Sequence, residues 1–229
     1  YRVFTTGSFN YPIQLFLNHD YEYDKADSAW QKLVADPERR FGRAIGLAID
    51  PQDINDSVFY GMFGEPFLTT KSFDPDEAEG LLDAIGMSER DGEGFRLGLD
   101  GQRFVLRLSF SEASSDFPPV AELLKEQLEA VGIRVEIDPL GIDFGLFNQR
   151  KAANEIQASL FWNDGTAWEG GISEDYLPSH KGPWSPMTWQ YYITQGKEGR
   201  EPPAYIQEFY DIHTERKAYP PESEQGKAL

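Results

Sequence analysis

The residues best suited to chemistry close a strand-like run at Phe161 to Gly165, FWNDG. Asp164 offers a carboxylate at a strand end, flanked by Trp162 and Asn163. Such a carboxylate can pair with an ammonium or accept a sugar hydroxyl, and charge-assisted contacts are the stronger kind. From residue 163 to 187 regular spacing stops, and a long irregular stretch on a rigid scaffold is where binding residues concentrate. The region is rich in rings: Trp162, Trp168, Tyr176, Trp184, Trp189, Tyr191 and Tyr192. Indole faces can stack on sugar rings or cover apolar side chains. The same rings could instead form a satellite core under a loop, with Asp164 capping a turn. Trp162, Asn163, Asp164, Trp168 and Trp184 are the expected ligand-binding residues.

An enzyme is the competing expectation. A carbohydrate-active hydrolase could use Asp164 with Glu169, Glu174 or Asp175 beside stacking tryptophans. That chemistry needs two carboxylates roughly 5–9.5 Å apart, one with a raised pKa. Nothing in the spacing shows such a pair, and there is no G-x-S-x-G, H-E-x-x-H or phosphate loop. The three histidines, His19, His180 and His213, are scattered, and cysteine is absent. No zinc set, disulfide, metal or cofactor is therefore expected. Asp91 to Gly94 and Asp100-Gly101 faintly resemble a calcium loop, but the closing bidentate Glu is missing and turns are expected.

Composition narrows the partners. With 39 Asp and Glu against 21 Lys and Arg, the 229 residues carry a formal charge of −18. Nucleic acid and anionic membranes are poor partners for such a chain, because phosphate contacts need clustered cations. At 40% hydrophobic and 26% charged residues the composition is that of an ordinary globular protein. No apolar run approaches the ~20 residues that span a bilayer, and no signal peptide is visible. The chain opens in a strand-like run at Tyr1 and closes in a helix-like run at Leu229, so it reads as a piece of a longer protein.

The elements that must position FWNDG alternate between helix and strand. Ile13, Leu15 and Leu17 alternate as a half-buried strand does. Ala26, Ala29, Trp30, Leu33 and Val34 predict a helix over residues 25–35. Phe41, Ala44, Ile45 and Ala48 recur at i, i+3, i+4 and i+7, and Gly42 and Gly46 in this helix imply close packing. Asp50-Pro51 caps a second helix whose buried side is Ile54 and Val58, ended by Gly61. Asp74, Pro75 and Glu77 form a capping-box pattern before Ala78, Leu81, Leu82 and Ile85, with Gly86 as the stop. Phe104, Leu106, Leu108 and Phe110 alternate as a strand. A helix from Pro118 carries Val120, Leu123, Leu124, Leu128 and Val131, and a strand follows with Ile133, Val135 and Ile137. Strand, helix, strand in this order implies a right-handed crossover in a partly parallel sheet. A short helix over residues 142–152 and a strand at Ile156, Ala158, Leu160 and Trp162 complete the series. Near the end, Ile206, Phe209, Tyr210 and His213 predict one buried helix side.

Three of these segments resemble one family. The first is a segment like R-x-A-I-x-x-A-I-D-x-x-x-I with a Tyr-Gly ending and a later Pro, here Arg43 directly before Ala44, then Ile45, Ala48, Ile49, Asp50, Ile54, Gly61 and Pro66. The second is D-P-x-x-A-x-x-L-L-x-x-x-G from Asp74 to Gly86, and the third includes Gln127, Leu128, Gly132, Ile133 and Val135. Together they resemble the large substrate-binding proteins of ABC importers that take oligopeptides, dipeptides or nickel. The resemblance implies an α/β fold, a mixed β-sheet flanked by helices, forming one lobe of a type II periplasmic-binding-protein-like fold. It implies that residues 1–229 are the second, C-terminal lobe, with 163–187 as a long cleft-side loop. It also implies a function: closing on a solute, oligosaccharide or oligopeptide, and delivering it to membrane permease subunits. The parent would be a monomer, periplasmic or a cell-surface lipoprotein. By position Trp162 and Asp164 stand for the family's W-x-x-D or W-x-A-D segment, whose Asp meets a peptide's terminal ammonium, with one residue rather than two between them here. Asn18, which ends the strand that enters the lobe, is implied as a further ligand-binding residue. Where peptide binders tend to show Ala-Asp-Tyr this chain has Asn163-Asp164-Gly165, and with the tryptophans this leans towards sugar. A G-x-x-G-x-E-P-P segment, Gly196, Gly199, Glu201, Pro202 and Pro203, resembles one branch of the family with an enlarged C-terminal region.

Overall fold

The structure, a computed structural model, describes residues 13–62, 73–162, 184–216, 218–220 and 223–225. The chain forms two compact units, Leu15–Leu160 and Tyr1–Gln14 with Phe161–Leu229.

Strand β1 (Ile13–Leu17), which enters the larger unit at Leu15, leads to helices α1 (Ala29–Val34), α2 (Arg40–Leu47), α3 (Pro51–Phe59) and α4 (Pro75–Ala84). Strand β2 (Val105–Phe110), helix α5 (Phe117–Ala130), strand β3 (Arg134–Pro139), helix α6 (Phe144–Ala152) and strand β4 (Ala158–Trp162) follow. The strand order is β1-β4-β2-β3. β2 runs parallel to β3, Val105 facing Arg134, and parallel to β4, Leu108 facing Ala158. The end of β1 meets the start of β4, where Asn18 N–H donates to Gln157 O at 2.9 Å. The sheet is therefore mixed, and β2 and β3, joined through α5, pair in parallel as the strand–helix–strand pattern implies.

Alternation shows most clearly on β2 and the start of β3. Phe104, Leu106, Leu108 and Phe110 are all buried, as are Ile133 and Val135. On the opposite face Arg107 pairs with Glu136 at 3.5 Å. The core extends to the helical layer through Trp30, stacked on Phe104 with centroids 6.4 Å apart, while Phe41 meets both rings edge-on. Such ring pairs contribute about 0.5–1.5 kcal/mol beyond the area they bury.

The three sequence segments described above are bonded to one another. Asp50 caps α3 by accepting from Gln52 N–H and Asp53 N–H at 2.9 and 3.2 Å. Its own N–H donates to Gln127 Oε1 on α5, whose amide nitrogen donates to Asp53. Asp74 accepts from Glu77 N–H at 2.9 Å and donates its N–H to Leu47 O at the end of α2. The Glu77 carboxylate does not close a reciprocal capping box; it pairs with Arg43 at 3.2 Å. Gly132 ends α5 at φ +87, with the Arg90 guanidinium where a Cβ would sit. Arg96, 1% exposed, fills the space beside it and binds Val131 O, Met87 O, Asp83 and Glu79.

Several local expectations are corrected. Gly42 is exposed with open space around it, so close packing is not its reason. The fully buried residue of α3 is Asn55, whose carbonyl accepts Gly61 N–H at 3.0 Å, while Ile54 and Val58 are half-buried. α1 starts only at Ala29, because Ser28 Oγ accepts Gln31 N–H and leaves Ala26 in an exposed turn.

In the smaller unit, helix α7 (Pro186–Ile193) has no counterpart in the spacing read above; its apolar and polar residues show no single stripe. Helix α8 (Ala204–Arg216) buries Ile206 and Tyr210 but leaves Phe209 53% exposed, so Phe209 does not share their side. The His213 side chain lies outside the described residues. Gly196 and Gly199, at φ +81 and +94, turn the chain back so that Arg200 N–H reaches Met187 O at 2.9 Å. Glu201-Pro202-Pro203 then leads into α8.

Candidate functional site

Strand β4 carries the first expected site residue to its end. Ala158, Ser159 and Leu160 are buried, and burial falls off at the strand's end, where Trp162 is half-buried, its ring tilted 58° to Phe161 at 5.8 Å. A partly exposed aromatic pair at a strand end can cover an apolar group or a sugar face. Asn163, Asp164 and Trp168 lie outside the described residues, as do Tyr176, His180 and the hydrolase candidates Glu169, Glu174 and Asp175.

Asn18 stands at the end of β1 and is 1% exposed. Its amide nitrogen donates to Asn154 Oδ1 at 2.9 Å and Ile156 O at 2.7 Å, and its Oδ1 accepts Asp20 N–H at 2.9 Å. Trp30 Nε1 donates to its carbonyl at 2.7 Å. Both amide N–H groups are thus spent inside the protein. What Asn18 does in this structure is tie the end of β1 to the approach to β4. Its partner Asn154 was not singled out from the sequence. It takes the left-handed conformation, φ +58, and donates to Asp20 O at 2.7 Å. An Asn in the break between a helix and a strand is the available signal, since Asn tolerates that conformation better than most residues.

Trp184 belongs to the smaller unit. With Trp189 and Tyr192 it packs on Ile206 and Tyr210. Tyr192 stacks on Tyr210 at 4.2 Å and 10°, Trp189 lies 5.5 Å from Tyr192, and the Tyr192 hydroxyl is 3.1 Å from Thr214 Oγ1. These rings build a local apolar cluster between α7 and α8, the arrangement the satellite-core reading describes. Among the described residues no group of three His, Cys, Asp or Glu is placed to hold a metal ion. Asp91, in the turn read against calcium binding, accepts from Glu93 N–H, Phe95 N–H and Arg103.

Residues 5–179 match the family described as bacterial extracellular solute-binding proteins, family 5 Middle. The chain belongs to that family. Solved structures share the fold of this family 5 chain. It is similar to oligopeptide-binding protein OppA, 22% identical with a TM-score of 0.68 over 90% of this chain and 37% of that one. It is similar to the periplasmic binding protein MelB from Agrobacterium fabrum C58, solved in complex with stachyose: 21% identical, TM-score 0.67, 91% of this chain and 34% of that one. The oligopeptide-binding protein AppA from Bacillus subtilis, in complex with a nonapeptide, is 16% identical with a TM-score of 0.61, covering 96% and 43%. The fold is thus that of type II periplasmic binding proteins, and the chain spans 34–43% of the length of these three. No curated protein sequence matches it. Among the described residues no helix is long and apolar enough to cross a membrane.

Proposed function

We propose that this chain is part of the extracytoplasmic receptor of an ABC importer, which closes on an oligosaccharide or oligopeptide and delivers it to membrane permease subunits. The observation that carries this is the family match over residues 5–179. Residues 1–229 act as the second lobe, and the larger unit, Leu15–Leu160, supplies its sheet and core. Binding falls to Trp162, Asn163 and Asp164 at and beyond the end of β4, with Trp168 and Trp184 as further rings and Asn18 as a residue that positions the strand ends. The receptor is a monomer without catalytic turnover, free in the periplasm or held by lipid. Capture works by hinge closure, driven by the difference in ligand affinity between open and closed forms. Oligosaccharide is the favoured class, since Asn163-Asp164-Gly165 and the tryptophans suit hydroxyls and sugar faces better than a peptide terminus.

Native mass spectrometry of the family-length protein, purified without denaturation and then offered oligosaccharides and mixed peptides, tests this reading. Adducts spaced by hexose units establish a sugar receptor, and a spread of peptide masses moves the assignment to peptides. Failure to retain any member of either panel overturns the proposal.

A further inference from the structure

We draw no further inference here: the strongest candidate, the outward surface of α8 where Tyr205 and Phe209 are each 53% exposed one helical turn apart, is an unpartnered apolar face, and nothing in the structure shows what covers it.

Discussion

At Gly199 there is no room for a side chain. A Cβ would stand 2.3 Å from Met187 O and 2.6 Å from Tyr191 N, both backbone atoms, and φ +94 is strained for any L side chain. Gly199→Ala should therefore destabilise the smaller unit by about 2 kcal/mol or more. Thermal unfolding followed by tryptophan fluorescence checks this, and an unchanged midpoint contradicts the geometry. Ser159 is the opposite case. It sits on β4 in register with Ser109 on β2, which faces Asp138 on β3. Ser109 Oγ donates to Asp138 at 2.9 Å, and Arg150 of α6 reaches the same carboxylate at 3.4 Å. Ser159 Oγ is buried without a hydrogen-bond partner. An unsatisfied buried hydroxyl costs about 1–3 kcal/mol, so Ser159→Ala should raise the urea midpoint. A lower midpoint would mean that the hydroxyl is satisfied in solution.

Helix starts decide much at the scale of elements. α3 depends on the Asp50 carboxylate for two of its N–H groups. Asp50→Ala should cost about 1 kcal/mol of cap energy, measurable by denaturant titration. Asp50→Asn, which keeps an accepting oxygen, should lose much less, and equal losses would exclude the cap as the cause. α2 starts differently, because Arg39 at its N-terminus provides no side-chain cap. Asp36 takes that place, accepting from Arg40 N–H at 2.8 Å and from its guanidinium at 2.6 and 3.0 Å. The hydrogen bond from the Arg40 side chain leads the causes that hold the Asp36 carboxyl down at about 2. The folded value lies below the unfolded one, so this contribution is complete above about pH 4 and is lost as pH falls towards 2. Asp36→Asn should therefore be less stable than the parent at neutral pH, with the gap closing across that window. Denaturant titrations at a series of pH values check it, and a constant gap would exclude the ion pair as its origin.

For the molecule as a whole, the family segments belong to the scaffold. Arg43 to Glu77, Asp74 to Leu47 and Asp50 to Gln127 lock α2, α4, α3 and α5 together. The fold is shared with proteins only 16–21% identical that were solved with ligands as different as a nonapeptide and stachyose. The chain spans 34–43% of the length of those relatives. Under the proposed function, residues 1–229 hold only part of the cleft and lack the closure that traps ligand. Isothermal titration of this chain and of the family-length protein with the same oligosaccharide should show much weaker binding by the chain. Equal affinities would contradict a shared cleft.

Local chemistry made much of this legible. Phe104, Leu106, Leu108 and Phe110 announce a strand and its dry face, because a period of two leaves no other way to bury them. Asp50-Pro51 and Asp74-Pro75 announce helix starts, because the groups they satisfy are within three residues. The strand–helix–strand order gave the parallel pairing of β2 and β3, because a short crossover helix allows little else. Family and fold class follow from such patterns. What the amino-acid order could not give lies between residues far apart. Placing β4 between β1 and β2 depends on Asn18 and Gln157, which are linked across the chain. The Asn18 amide nitrogen is bound to Asn154 and Ile156, more than 130 residues along the chain, which no local pattern shows. Phe209 and Tyr210 are neighbours in sequence, yet only the latter meets the stacked ring of Tyr192. A side chain's partner over such distances is set by packing of whole elements, and that is decided only in the tertiary structure.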